Sequence, residues 1–232
     1  MAEPVKRTRR YESPRRQAQA AATRRDILAA AQALFERDGY ATTTMAAIAA
    51  EAGVSLKTVY LGFETKSGVL RSLWHLRLRG DEHQAPVGER DWYRQVLEEP
   101  DPQQQLRLNA RNSRAVKERA AAVTEVIRGA AALDPDIDAL WTRIQAEFRD
   151  NQRAIIESID HKQALKDTLN IDRATDILWT LNHPAVWQLL VTQRGWTPTD
   201  YERWLADTSY AQLLDNRRDS RAVAPRRSGS RR

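Results

Sequence analysis

Residues 43–66 read TTMAAIAAEAGVSLKTVYLGFETK, and the punctuation of this stretch decides the fold. Gly53 stands where two short helices must reverse direction, and Ile48, Ala49, Val54 and Val59 surround it at positions that face inward across the corner. The spacing predicts a helix of about two turns capped by Thr43 or Thr44, a corner of about three residues, and a second helix starting at Ser55. A helix of this kind fits the roughly 12 Å major groove of duplex DNA.

Upstream, Ile27, Leu28, Ala31, Leu34 and Phe35 recur at helical spacing from about Ala22, and Asp38-Gly39 supplies a C-terminal stop. Downstream, Leu70, Leu73, Trp74 and Leu78 mark a fourth helix over residues 66–79. Pro86, Gly88, Pro100 and Pro102 then crowd the next stretch and leave room only for a short helix near residues 92–97. Beyond this border the 3.6-residue period returns over residues 106–131, expected to break once, and over 135–159, 173–194 and 198–214. Asp134-Pro135 and Thr197-Pro198 have the form of helix starts, and His183-Pro184 predicts a kink. No segment alternates as a strand does, so the expected fold is all-α. Its organisation is a basic arm (1–21), a DNA-binding domain (22–80), a larger helical domain (81–215) and a basic tail (216–232).

The net charge of +6 hides a division along the chain. Residues 1–25 and 216–232 each carry +6, which leaves −6 on the 190 residues between them. Attraction to a polyanion therefore rests on the two ends, and the pattern says little of the body's surface. There is no cysteine, which excludes disulfides, thiolate metal sites and a cysteine nucleophile and makes a reducing, cytoplasmic setting the expectation. No apolar run approaches the roughly 20 residues of a membrane span, and the first residues lack an apolar signal core, so neither membrane insertion nor export is expected.

The segment from Ser55 carries the chemistry that reading a duplex needs. Ser55 caps its helix or bonds a phosphate, as Thr43 and Thr44 do at the helix before it. Leu56, Lys57 and Thr58 project near the start, Tyr60 and Leu61 one turn later, and Lys66 opens the next helix as a phosphate contact. Lys57 suits guanine O6 and N7, and Leu56 or Leu61 a thymine methyl. Thr44 and Ser55 are helix caps first; Tyr60 on its own is equally an ordinary half-buried residue.

This stretch resembles the TetR family of transcriptional regulators, whose pattern is approximately T-[ST]-V-x-x-I-A-x-x-A-G-V-S-x-G-x-[LV]-Y-x-x-F-x-x-K-x-x-L. Here it stands as Thr43, Thr44, Met45, Ile48, Ala49, Ala52, Gly53, Val54, Ser55, Val59, Tyr60, Phe63, Lys66 and Val69-Leu70, preceded by TRRDILAAAQALFERDGY. Two positions depart. Lys57 replaces a glycine and adds a charge where bases are read, and Gly62 replaces the usual His or Tyr and removes a phosphate contact. Lys6, Arg7, Arg9, Arg10, Arg15 and Arg16 offer an arm for a neighbouring minor groove, although such tails are more often simply solvated.

The resemblance implies that the remaining helices enclose an effector pocket and that the last two pair with their copies. LVTQRGWTPTDYERWLAD (190–207) is similar to the end of many such regulators. The expected partners are therefore palindromic double-stranded DNA, a second copy joined through residues 173–214, and a small apolar or aromatic effector with one polar handle. No cofactor and no metal is expected. Trp141, Trp179 and Trp187 with Asn109, Asn182 and His183 are the candidate pocket residues, each tryptophan being as readily plain core and His183 a cap at the kink. No metalloprotease, P-loop, nucleophile-elbow or dinucleotide motif occurs around the four histidines, so catalysis is not expected. Two rival readings stand beside a ligand-released repressor: a non-specific nucleoid-type binder and a regulator signalled by a protein partner.

Overall fold

The computed structural model describes residues 14–80 and 87–215. Among them there are ten α-helices and no strand, as the periodicity predicts. The chain divides into two compact units between Leu73 and Trp74.

In the first unit, α1 (Pro14–Asp38), α2 (Met45–Glu51) and α3 (Leu56–Phe63) are followed by the start of α4 (Lys66–Arg79). The helix expected from about Ala22 begins eight residues earlier, so residues 14–21 are helix and not arm. Proline is pre-set for a first helical turn, and the alanine-rich run QAQAAA behind it has high helix propensity. The earlier part of the expected arm, with Lys6, Arg7, Arg9 and Arg10, lies outside the described residues, as does the tail 216–232.

Ile27, Ala31 and Phe35 of α1, Ile48 of α2, Val59 and Phe63 of α3, and Leu70 of α4 are buried. Residues three and four apart share a helix face, so this spacing turns one stripe of each helix inward. Gly53 holds the corner between α2 and α3 at φ +66°, in the left-handed region where a Cβ is strained.

The second unit takes in the end of α4, a short 3-10 turn (Val87–Glu89), α5 (Asp91–Glu98), α6 (Pro102–Ala130), α7 (Pro135–His161), α8 (Ile171–Leu181), α9 (Pro184–Trp187), a π-helical stretch (Gln188–Gln193) and α10 (Pro198–Leu213). α6 packs against α5, α7, α9 and α10. The break expected in α6 is absent. Its polar middle finds partners without leaving the helix: Asn112 donates to the Trp92 carbonyl at 3.1 Å, and Lys117 donates to Asn182. The kink at His183-Pro184 is present. α8 ends at Leu181, and His183 caps α9 by accepting the Ala185 amide on Nδ1 at 3.1 Å.

Among the described residues of this unit, two apolar clusters contribute to its core. One gathers Val96, Leu106, Ile155, Ile156, Ile159 and Leu178; the other gathers Ala110, Trp187, Tyr201 and Leu205. An antiparallel bridge joins Leu165 to Leu214, with the Lys166 amide on the Leu213 carbonyl at 3.0 Å and the Asp215 amide on the Ala164 carbonyl at 3.2 Å. No helix among the described residues is long and apolar enough to cross a membrane.

Candidate functional site

Two places carry chemistry, one in each unit. The first is α3. Ser55 caps it by accepting the Thr58 amide on its hydroxyl at 3.1 Å, and Thr44 does the same for α2 with the Ala47 amide at 3.0 Å. Val59 and Phe63 turn inward, while Leu56, Lys57, Tyr60 and Leu61 are exposed. Leu61, at 77% exposure, is the most accessible large apolar residue among the described residues of the unit. A row of apolar and cationic groups held outward on a short packed helix has the shape of a groove reader.

Arg24, which the sequence did not mark, secures the far end of α3. Its guanidinium donates to the Gly62 carbonyl at 3.0 Å and to Ser72 Oγ at 2.9 Å, and lies 4.3 Å over the Phe63 ring. Gly68 is required by a similar close approach, since a Cβ there would meet the Phe63 carbonyl oxygen at 2.1 Å. Neither residue follows the apolar period, and a guanidinium's partners on backbone carbonyls leave no trace in spacing.

Two expected phosphate contacts take other roles. Thr43 is buried, and its hydroxyl is spent on the Gly39 carbonyl at 2.8 Å. Lys66 reaches back to the loop before α2, donating to the carbonyls of Tyr40 at 2.7 Å and Thr43 at 2.9 Å, with its Nζ 4.2 Å over the Tyr40 ring. An ammonium so committed fastens the loop. Thr58 is half-buried, and its hydroxyl pairs with Ser55 Oγ at 2.7 Å.

The second place is a cavity of about 130 Å³ in the second unit. Of the six expected pocket residues, Asn109, Asn182 and Trp187 line it. Trp141, Trp179 and His183 do not; Trp179 and His183 instead pack edge to face, ring centroids 4.9 Å apart. The walls are Trp74, Trp92, Tyr93, Phe148 and Trp187, with Lys117, Gln145 and Gln152 among the polar groups.

Lys117 is the residue that sequence reasoning passed over. It is 8% exposed, donates to Asn182 Oδ1, and burial pushes its pKa down to about 7. The signal was present, for Lys117 falls in register with Ala110, Ala120 and Val123 on the apolar stripe of α6. Asn182 is satisfied in turn, donating to Ser113 Oγ at 2.8 Å and Gln152 Oε1 at 3.2 Å. Burial and the nearby Lys117 both lower the pKa of His183.

An outward-facing helix on a three-helix core, followed by a larger all-helical unit with an interior cavity, defines a helix-turn-helix class of DNA-binding protein. Residues 27–73 match the family model "Bacterial regulatory proteins, tetR family", and the N-terminal domain belongs to that family, that of TetR-type transcriptional regulators.

No curated protein matches the chain in sequence. Among solved structures it is similar to a complex of SmeT with triclosan, at 18% identity and TM-score 0.66, over 90% of this chain and 98% of that one. SmeT is the repressor of the Stenotrophomonas maltophilia multidrug efflux pump SmeDEF. It is similar also to NalD, the secondary repressor of the MexAB-OprM multidrug efflux pump in Pseudomonas aeruginosa, at 19% identity and TM-score 0.66, over 86% and 99%. A third neighbour is a protein from Saccharomonospora viridis solved in complex with choline, at 18% identity and TM-score 0.66, over 84% and 100%. At these identities the likeness establishes the fold.

Proposed function

We propose that this protein is a sequence-specific transcriptional regulator that binds a palindromic operator as a homodimer and is released from it by a small-molecule effector. The observation that carries the reading is α3, whose Leu56, Lys57, Tyr60 and Leu61 stand outward over buried Val59 and Phe63. Apolar groups held in water at that position make sense when thymine methyls and base edges cover them.

The homodimer is supported by Leu189 and Trp196, both exposed within 173–214 although Trp187 and Leu205 beside them are core. A two-fold pairing of these helices would cover them. The effector is supported by the cavity and by the triclosan and choline held by two structural neighbours. The repressor sign is supported by the roles that SmeT and NalD carry in their names. α4 supplies Lys66 to the DNA-binding unit and Trp74 and Leu78 to the cavity lining. Coupling between two sites is reciprocal, so an effector that loosens the operator is itself bound more weakly on DNA by the same factor.

Selection from random duplexes tests this reading. Enrichment of a two-fold symmetric site, with half-sites about 34 Å apart or a multiple of that, is the expected result. Binding to all duplexes alike with a steep salt slope would replace it with the nucleoid-type reading.

A further inference from the structure

The cavity's polar groups ask for an acceptor. Among the described residues Lys117 is the one cation in its lining, and no carboxylate forms an ion pair with it. Glu147, the one carboxylate among the described lining residues, is solvent-exposed. The Lys117 ammonium has three N–H donors; one goes to Asn182 Oδ1, and Nζ lies 5.5 Å from the centre of the Tyr201 ring, which leaves it without an anionic partner.

Gln145 adds a second donor. His183 accepts the Ala185 amide on Nδ1, so in the neutral ring Nε2 carries the proton and donates to Gln145 Oε1 at 3.0 Å. That contact fixes which end of the Gln145 amide is oxygen. Its Nε2 is then left buried with no partner. A buried donor without an acceptor is costly, and a buried ammonium more so.

Around these donors the walls are aromatic, and the volume is close to that of an apolar cavity of about 150 Å³ that holds a benzene ring. We infer that the cavity takes a small aromatic oxyanion, a ring bearing one carboxylate or phenolate, with the charge on Lys117 and the second oxygen or lone pair on Gln145 Nε2. This rests on the reading of the cavity as an effector site and names the handle of that effector as anionic.

The burial that lowers the Lys117 pKa acts against a charge that has only neutral partners. An arriving anion restores the ammonium's reason to keep its proton. A neutral ligand of the same outline offers no such compensation.

Calorimetric titration of the full chain with benzoate against benzamide, and with 4-nitrophenolate against 4-nitroanisole, tests the inference and separates the two sources of negative charge. The expected result is that at least one anion binds about tenfold or more tightly than its neutral counterpart. Lys117→Met should abolish that preference. Gln145→Leu, whose side chain is only half-buried, should weaken the anion severalfold and serves should Lys117→Met not fold. Equal affinity for anion and neutral analogue, an undiminished preference in both variants, or binding of neither anion would overturn the inference. A gel shift of the unliganded protein on a selected duplex, run alongside, keeps the readings apart. Duplex binding without anion binding removes this inference alone, and anion binding without duplex binding removes the regulator reading while the site stands.

Discussion

The ammonium of Lys66 stands 4.2 Å over the ring of Tyr40 and donates to that residue's own carbonyl at 2.7 Å. Twenty-six residues of chain are thus closed by one side chain, and the loop that leads into α2 is held by a cation. Lys66→Ala removes hydrogen bonds from a charged donor to the carbonyls of Tyr40 and Thr43. It should cost the N-terminal unit about 1.5–3 kcal/mol, read by denaturant unfolding. DNA affinity should fall through the lost loop geometry with the salt slope of binding unchanged. A slope reduced by about 1 per subunit would return Lys66 to the phosphate role.

Lys57 is exposed near the start of α3, where a side chain meets base edges. Lys57→Ala should relax preference at one operator position at a cost of about 1–3 kcal/mol, leaving other positions intact. Binding-site selection on the variant measures this, and a uniform loss over all sequences would assign Lys57 to the phosphates.

Lys117 gives a pH dependence with a definite sign. Its pKa falls from an ordinary 10.5 to about 7 on folding, so between those values the unfolded chain holds the extra proton. Stability of the ligand-free protein should therefore rise as pH goes from 7 to 9, by on the order of a few kcal/mol. Tyr93 and Tyr201, whose pKa values burial raises, act only above that window. Urea unfolding at pH 7 and pH 9 measures the rise, and Lys117→Met should flatten it.

Leu189 is 52% exposed and Trp196 37%. Replacing both with glutamate places two charges where a second copy would pack, and at Trp196 it also removes an edge-to-face contact with Trp204, ring centroids 6.2 Å apart. Sedimentation velocity at micromolar concentration should show a dimer for the native chain and a monomer for Leu189→Glu/Trp196→Glu, with operator affinity lost in parallel. A native chain that sediments as a monomer would remove the dimer.

The helix-turn-helix was legible because its signals are local. Thr44 and Ser55 cap within three residues, Gly53 marks its own corner, and the apolar spacing around Ile48 and Val59 points both helices inward. What escaped notice depends on partners far along the chain. Lys66 looks like a phosphate contact until the Tyr40 carbonyl lies beneath it, and Arg24 looks like one more surface arginine until Gly62 and Ser72 receive it. In the second unit, periodicity gave each helix an inner face without saying which inner residues border a void. Trp187 and Trp179 read alike in sequence, yet the first lines the cavity and the second packs on His183.

The short bridge between Leu165 and Leu214 has a practical bearing on any work with this chain. Two backbone hydrogen bonds latch the end of α10 onto the turn after α7. A tag or fluorophore grafted beyond Asp215 thus leaves from a fixed mooring and reports on the second unit, whereas a truncation reaching Leu213 cuts the latch and removes a fully buried side chain with it.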